Sequence, residues 1–211
     1  SVQDDAPYTY AGANGKSVNN YDRRYRGFTT LREAITDSIN IVTVKTLAQA
    51  GVSLGWQYVQ EYGFTTVDSR DMNEALALGG ITQGVSNLEL TAAYAAIANQ
   101  GTYIKPKFYT KILDHDGNVL IDNTTPESHT VIKDTTAWLL TSAMEDVMTS
   151  GTGTSAYFGS SMAQAGKSGT TTSSRDALFA GYTPYYTCAV WGGYDDNACL
   201  LYTSPSPRDR G

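Results

Sequence analysis

The chain has 211 residues, 41% of them hydrophobic and 17% charged, a balance that supports a buried core in a single domain. Its net charge of −6, with no basic run anywhere, argues against nucleic acid and against an anionic membrane surface as partners. No apolar stretch approaches the roughly 20 residues that cross a bilayer, and the opening SVQDDAPYTY has neither the basic nor the apolar region of a signal peptide. The chain itself is expected to make no membrane contact.

Residues 1 to 28 are polar, rich in Gly, Asn and Tyr, and without period, which predicts a loop or surface segment. Thr30-Leu-Arg-Glu33 has the spacing of a capping box, so a short helix is expected to start there. Asp37-Ser-Ile-Asn40 should interrupt it, because these side chains compete for backbone groups, and the helical pattern resumes through Ile41, Val44, Leu47 and Ala48 until Gly51. Trp56, Val59 and Tyr62 define one further helical face, ended by Gly63. A second capping box, Ser86-Asn-Leu-Glu89, opens an alanine-rich helix over Leu90 to Asn99 that Gly101 terminates.

From Tyr103 the period changes. Phe108 to Leu113 and Val119 to Asp122 flank Asp114-His-Asp-Gly-Asn118, a hairpin signal. Asp134 is expected to cap a helix whose Ala137, Leu140, Met144, Val147 and Met148 share a face, and Gly151-Thr-Gly-Thr154 to end it in a flexible loop. Three strands are predicted over about 164 to 172, 178 to 183 and 186 to 193, with a turn at Pro184-Tyr185. Helices first and strands last, without βαβ alternation, indicate an α+β fold. Residues Cys199 to Asp209 break from this pattern and resemble one reading frame of a sequencing-library adapter, so 199–211 is set apart as an artefactual, unstructured tail.

Chemistry has few candidates. Cys188 and Cys199 provide no disulfide framework and no metal-type spacing, and His115 and His129 lie in polar, turn-like stretches where surface roles are expected. No metal or cofactor is implied. Gly166-Lys167-Ser168 supplies only the second half of a phosphate-binding loop, position 161 being Ser, and β-forming residues follow where a helix is needed. Gly51-Val-Ser53-Leu-Gly55 matches a nucleophile elbow, but a helix rather than a strand precedes it; Gly51 and Ser53 read instead as a helix stop and the next helix's cap.

Ser38-Ile39-Asn40 in the helix break and Lys167-Ser168-Gly169-Thr170 on a strand make a more coherent pair. Taken singly, Ser38 and Asn40 would be helix caps and Lys167 a solvated strand residue. Together they resemble the Ser-x-Asn and Lys-Thr/Ser-Gly-Thr elements of penicillin-binding proteins and related serine acyl-transferring enzymes. The surrounding TLREAITDSINIVTVKTLAQAG, EALALGGITQGVSNLELTAAYAAIANQGTYIKP and AGKSGTTTSSRDALFAGYTPYYTCAVWGGYDD look, in this order, like the transpeptidase domain of bifunctional (class A) penicillin-binding proteins. With their joining segments they cover about residues 21 to 196.

The resemblance implies that residues 1–198 are part of the penicillin-binding protein/serine β-lactamase fold, a helical subdomain plus antiparallel strands. It implies a D,D-transpeptidase parent that cross-links peptidoglycan stem peptides, is a target of β-lactams and uses no cofactor. Ser38 would relay a proton to the leaving amine, Asn40 would hydrogen-bond the substrate amide, and Lys167 would assist the relay and attract the substrate carboxylate. The hydroxyls of Ser168 and Thr170 would bind that carboxylate, Gly169 would leave room for substrate, and the Thr170 N–H would be an oxyanion donor. A carboxypeptidase or β-lactamase of the same fold, or a non-catalytic β-lactam- or peptidoglycan-binding sensor, is the alternative. The family pattern also expects a glycosyltransferase domain and a membrane anchor in the parent, with this domain on the extracytoplasmic face.

One departure matters. The family's nucleophile and base lie in a Ser-x-x-Lys motif several dozen residues before the Ser-x-Asn motif, and no Ser-x-x-Lys occurs in this chain. Thr102-Tyr-Ile-Lys105 and Thr130-Val-Ile-Lys133 have the spacing with Thr, but in strand or loop contexts, and neither is assigned the role. The chain is therefore expected to be an internal fragment lacking the nucleophile, the first strands of the sheet and the closing helix, and inactive by itself.

Overall fold

The computed structural model describes residues 1–11 and 16–200, so the adapter-like stretch lies almost entirely outside the described residues. The first finding corrects the expectation of an N-terminal loop. β1 (Val2–Asp5) pairs antiparallel with β4 (Gly27–Thr30), and β2 (Tyr8–Thr9) with β3 (Ser17–Val18). Periodicity misses them because they are short and partly organised around a buried carboxylate. Asp5 is fully buried and accepts hydrogen bonds from Asn20 Nδ2 at 2.8 and 3.0 Å and from the Arg26 N–H at 2.9 Å, with the Arg26 guanidinium 3.8 Å away. A buried charge persists only when partnered in this way.

The helices follow local signals closely. α1 (Leu31–Thr36) starts at the Thr30/Glu33 capping box with both reciprocal hydrogen bonds formed. It breaks at Ser38, which adopts a left-handed φ of 55°, before α2 (Asn40–Ala50) begins. Ile39 turns inward across the break and packs with Ala34 and Val42. Ile41, Val42 and Val44 of α2 are completely buried, each contributing about 1.5–3 kcal/mol relative to exposure. α2 stops at Gly51, whose φ of 103° suits glycine, and the same residue is the N-cap of α3 (Val52–Glu61). Ser53 is thus the second residue of α3 and caps nothing, because the two helices abut through a single residue.

Two 3₁₀ turns, Ser69–Asp71 and Glu74–Leu78, lead to α4 (Asn87–Ala98), which opens on the Ser86/Glu89 capping box and buries Ala92, Ala93 and Ala96. β5 (Thr102–Ile104) later pairs with β8 (Ser128–Thr130), and between them β6 (Lys111–Leu113) and β7 (Val119–Asp122) form the Asp-Gly hairpin, with the first strand starting at Lys111 rather than Phe108. α5 (Asp134–Thr149) has Lys133, not Asp134, at its N-cap position. Asp134 is already helical and takes the Thr135 N–H at 2.7 Å, where a carboxylate complements the positive helix end.

The chain finishes in β9 (Ala165–Thr170), β10 (Asp176–Tyr182) and β11 (Thr187–Gly193), an antiparallel sheet ordered β11-β10-β9. α4 and α5 cover one face: Met144, Ala165 and Tyr182 form a buried cluster joined by Ile35, Tyr94, Ile97 and Leu140. Side chains alternate across a strand, so Lys167 and Gly169 leave β9 on the same face as buried Ala165. β9 is an edge strand, and that edge carries the candidate site.

Candidate active site

The helix break and β9 meet. Lys167 Nζ donates to Ser38 Oγ at 2.7 Å and to the Ser168 carbonyl at 3.0 Å. Ser38 is presented by its left-handed backbone, with Asp37 N–H on the Glu33 carbonyl and Ile39 N–H on the Ala34 carbonyl holding the turn on either side. Lys167 is half-buried, and desolvation pushes its ammonium below the ordinary lysine range. Among the described residues no carboxylate forms an ion pair with it. A half-buried cation with only neutral hydrogen-bond partners is suited to receive an anion.

The ladder orients the remaining groups of β9. The Thr171 N–H donates to the Asp176 carbonyl at 3.1 Å, and ladder hydrogen bonds alternate in an antiparallel pair. Ser168 and Thr170 therefore turn their backbone N–H and C=O groups to the open edge, as the Lys167 contact with the Ser168 carbonyl requires. Gly169 faces Leu178 across the register, and a Cβ placed on it would meet only the Leu178 Cβ, at an ordinary 3.7 Å. Gly166 differs: a Cβ there would lie 2.7 Å from Phe179 Cζ and 3.1 Å from Met148 Sδ and the Ala180 carbonyl. Packing demands glycine at 166 and leaves 169 open.

Asn40 is the first residue of α2, and its Nδ2 donates to the Asn19 carbonyl at 2.8 Å. Next to Ser38 a cavity of about 150 Å³ is lined by Asn20, Tyr21, Asp22, Arg26, Asp37, Ser38 and Ile39. The N-terminal ladder thus borders the site, because Asn20 both clamps Asp5 and accepts the Ile41 N–H on its Oδ1 at 3.2 Å, capping α2 from a distance.

The structure places Lys167 beside Ser38, two residues that sequence reasoning paired, and adds Thr152, which sequence reasoning passed over. The segment after α5, expected to be flexible, is pinned: Gly151 N–H donates to the Asp146 carbonyl at 3.0 Å, Thr152 N–H to the Thr36 carbonyl at 3.2 Å and Gly153 N–H to the Val147 carbonyl at 3.0 Å. Ser168 Oγ donates to Thr152 Oγ1 at 2.9 Å. The only local signal was a threonine between two glycines.

The model of the penicillin binding protein transpeptidase domain matches residues 1–195. Penicillin-binding protein 1F of Bacillus subtilis (strain 168) is 41% identical over 182 residues, 83% of this chain and 25% of the relative. Penicillin-binding protein 1A of Clostridium perfringens (strain 13 / Type A) is 35% identical over 206 residues, 92% of this chain and 30% of the relative. Among solved structures, penicillin-binding protein 1A from Haemophilus influenzae superposes with a TM-score of 0.82 at 26% identity, over 93% of this chain and 35% of that one. PonA1 from Mycobacterium tuberculosis shares the fold, with a TM-score of 0.75 at 24% identity over 95% of this chain and 56% of that one. The chain spans between a quarter and a third of the length of these curated relatives. A family match over nearly all the residues, together with the Ser38–Lys167 juxtaposition, places this chain in the penicillin-binding protein transpeptidase family.

Proposed function

We propose that Ser38, Asn40 and Lys167 to Thr170 are the proton-relay and carboxylate-binding part of a D,D-transpeptidase that cross-links peptidoglycan stem peptides. The observation that carries this is the half-buried Lys167 ammonium, hydrogen-bonded to Ser38 at 2.7 Å and left without a counter-ion among the described residues. The terminal carboxylate of a D-alanyl-D-alanine stem supplies the missing charge, received by Lys167 and the hydroxyls of Ser168 and Thr170. The stem lies along the open edge of β9, where Gly169 offers no side chain, and its amide meets Asn40. The Thr170 N–H on that edge is directed at the developing oxyanion.

In the reaction a serine oxygen adds to the penultimate carbonyl, the peptide C–N bond breaks, and D-alanine leaves with a proton delivered through Ser38. The amine of a second stem then displaces the serine, and the new amide is the cross-link. The depressed Lys167 holds its proton less tightly than an ordinary lysine, which suits exchange with Ser38. The nucleophile in this proposal comes from a Ser-x-x-Lys segment outside the 211 residues, in a parent anchored to the cytoplasmic membrane and working on its outer side. A penicillin presents a reactive acyl carbon in its β-lactam ring and a carboxylate on the fused ring beside it, matching the stem's scissile carbonyl and terminal carboxylate, and PonA1, which shares the fold, has been solved with penicillin V.

Labelling by a fluorescent penicillin tests the proposal. The full-length protein should be labelled covalently, the 211-residue chain should not, and Lys167→Ala should cut labelling of the full-length protein by about 100-fold or more. Labelling of the isolated chain, or of the Lys167→Ala protein at the wild-type rate, would overturn it.

A further inference from the structure

Gly151-Thr-Gly-Thr154 lies between α5 and β9, and nothing proposed so far uses it. We propose that Thr152 is a positioning residue for acyl transfer: it holds β9 against the helix break and sets the direction of the Ser168 hydroxyl. The proposal rests on the transpeptidase reading of Ser38, Lys167 and Ser168 given above.

Thr152 touches both sides of the Lys167–Ser38 contact. Its N–H donates to the carbonyl of Thr36, two residues before Ser38, and its hydroxyl accepts from Ser168, the residue after Lys167. The flanking glycines make this approach possible. A Cβ on Gly151 would fall 2.9 Å from Thr36 Cγ2 and Val147 Cα and closer still to the Thr36 carbonyl oxygen. A Cβ on Gly153 would fall 3.1 Å from Met148 Sδ and the Val147 carbonyl. The loop therefore lies flat on the ends of α1 and α5 with Thr152 turned towards β9. The threonine side chain itself is exposed, so the core does not require its identity.

The hydroxyl pair works as a short relay of orientation. At rest the Ser168 proton points to Thr152. When a carboxylate lies against Lys167, the Ser168 O–H rotates to donate to it, and the Thr152 O–H, which donates to no other group among the described residues, turns to donate to Ser168 Oγ. No bond breaks; two hydroxyls rotate, and each hydrogen bond polarises the next. Valine at 152 keeps the shape and the backbone N–H on the Thr36 carbonyl but removes the hydroxyl that accepts from Ser168 and can donate to it.

The experiment uses the full-length protein and the acylation efficiency of a fluorescent penicillin. Thr152→Val should lose about tenfold, with its melting temperature close to wild type. Thr152→Ser should stay within about twofold of wild type, since the hydroxyl is kept. The Thr152→Val/Ser168→Ala double variant should be no slower than Ser168→Ala alone, because Thr152 acts through Ser168. Wild-type acylation by Thr152→Val, or losses that multiply independently with those of Ser168→Ala, overturns the proposal. Should valine disturb folding, Thr152→Ala replaces it, and wild-type acylation there is equally fatal. Lys167→Ala separates the two readings: if it acylates normally, the transpeptidase reading fails; if it is inactive while Thr152→Val is normal, only the role of Thr152 fails.

Discussion

Lys167 has given up part of its hydration for two neutral acceptors, Ser38 Oγ at 2.7 Å and the Ser168 carbonyl at 3.0 Å. Hydrogen bonds to a charged group contribute about 1.5–3 kcal/mol each, while the effective cost of desolvating an ion is several kcal/mol. The two are of similar size, and desolvation, which moves the lysine downward, tips the balance against the charged form. Lys167→Met should therefore stabilise this chain while removing its anion grip, a gain of about 0.5–2 kcal/mol of the kind found where function costs stability. At about 2–4 °C per kcal/mol for a domain of this size, the melting temperature should rise by a few degrees. Urea denaturation of both proteins across pH gives the sharper assay. Below its depressed native pKa the lysine is charged in both states and the full penalty is present. As pH rises through that value the native lysine sheds its proton while the unfolded one keeps it until about 10.4, so wild-type stability climbs and the gap to Lys167→Met closes. A variant less stable than wild type at neutral pH, or a gap that ignores pH, would refute the reasoning.

Burial pushes the Glu89 carboxyl up, but hydrogen bonds from the Thr65 and Ser86 hydroxyls and N–H groups outweigh it and hold the group at about 2. Glu89 thus stabilises the fold above its ordinary 4.5 and loses that contribution as pH falls towards about 2. Glu89→Ala should cost about 1 kcal/mol at neutral pH, allowing for solvent screening, and urea midpoints of the two proteins should converge in acid; a pH-independent difference would contradict this. Gly166→Ala should destabilise by about 1–3 kcal/mol, because its methyl would strike Phe179, Met148 and the Ala180 carbonyl. Gly169→Ala should change stability by less than about 0.5 kcal/mol yet, on the proposed function, slow penicillin acylation of the full-length protein about tenfold, its methyl standing beside Lys167 where substrate is proposed to lie. Equal losses of stability from the two alanines would remove the distinction between a packing glycine and a substrate-facing one.

The amino-acid sequence by itself determined the elements whose causes are local. A capping box needs only residues three apart, so Thr30/Glu33 and Ser86/Glu89 marked the starts of α1 and α4, Gly51 marked the end of α2, and period-two runs marked β9 to β11. The Ser38 and Lys167 pairing was accessible as well, but through likeness to a family, since no local rule joins residues 129 positions apart. Tertiary structure alone decided the rest. The N-terminal strands exist because Asn20 and Arg26 return to a buried Asp5, and α2, which has no cap of its own, borrows one from Asn20. Gly151 to Gly153 became a rigid clamp because α1, α5 and β9 converge there, offering carbonyls and a hydroxyl that composition does not reveal. Contacts closed over a few residues depend on the chain's own stereochemistry; those closed over twenty or a hundred depend on which surfaces pack together, and packing in this chain assembles the site.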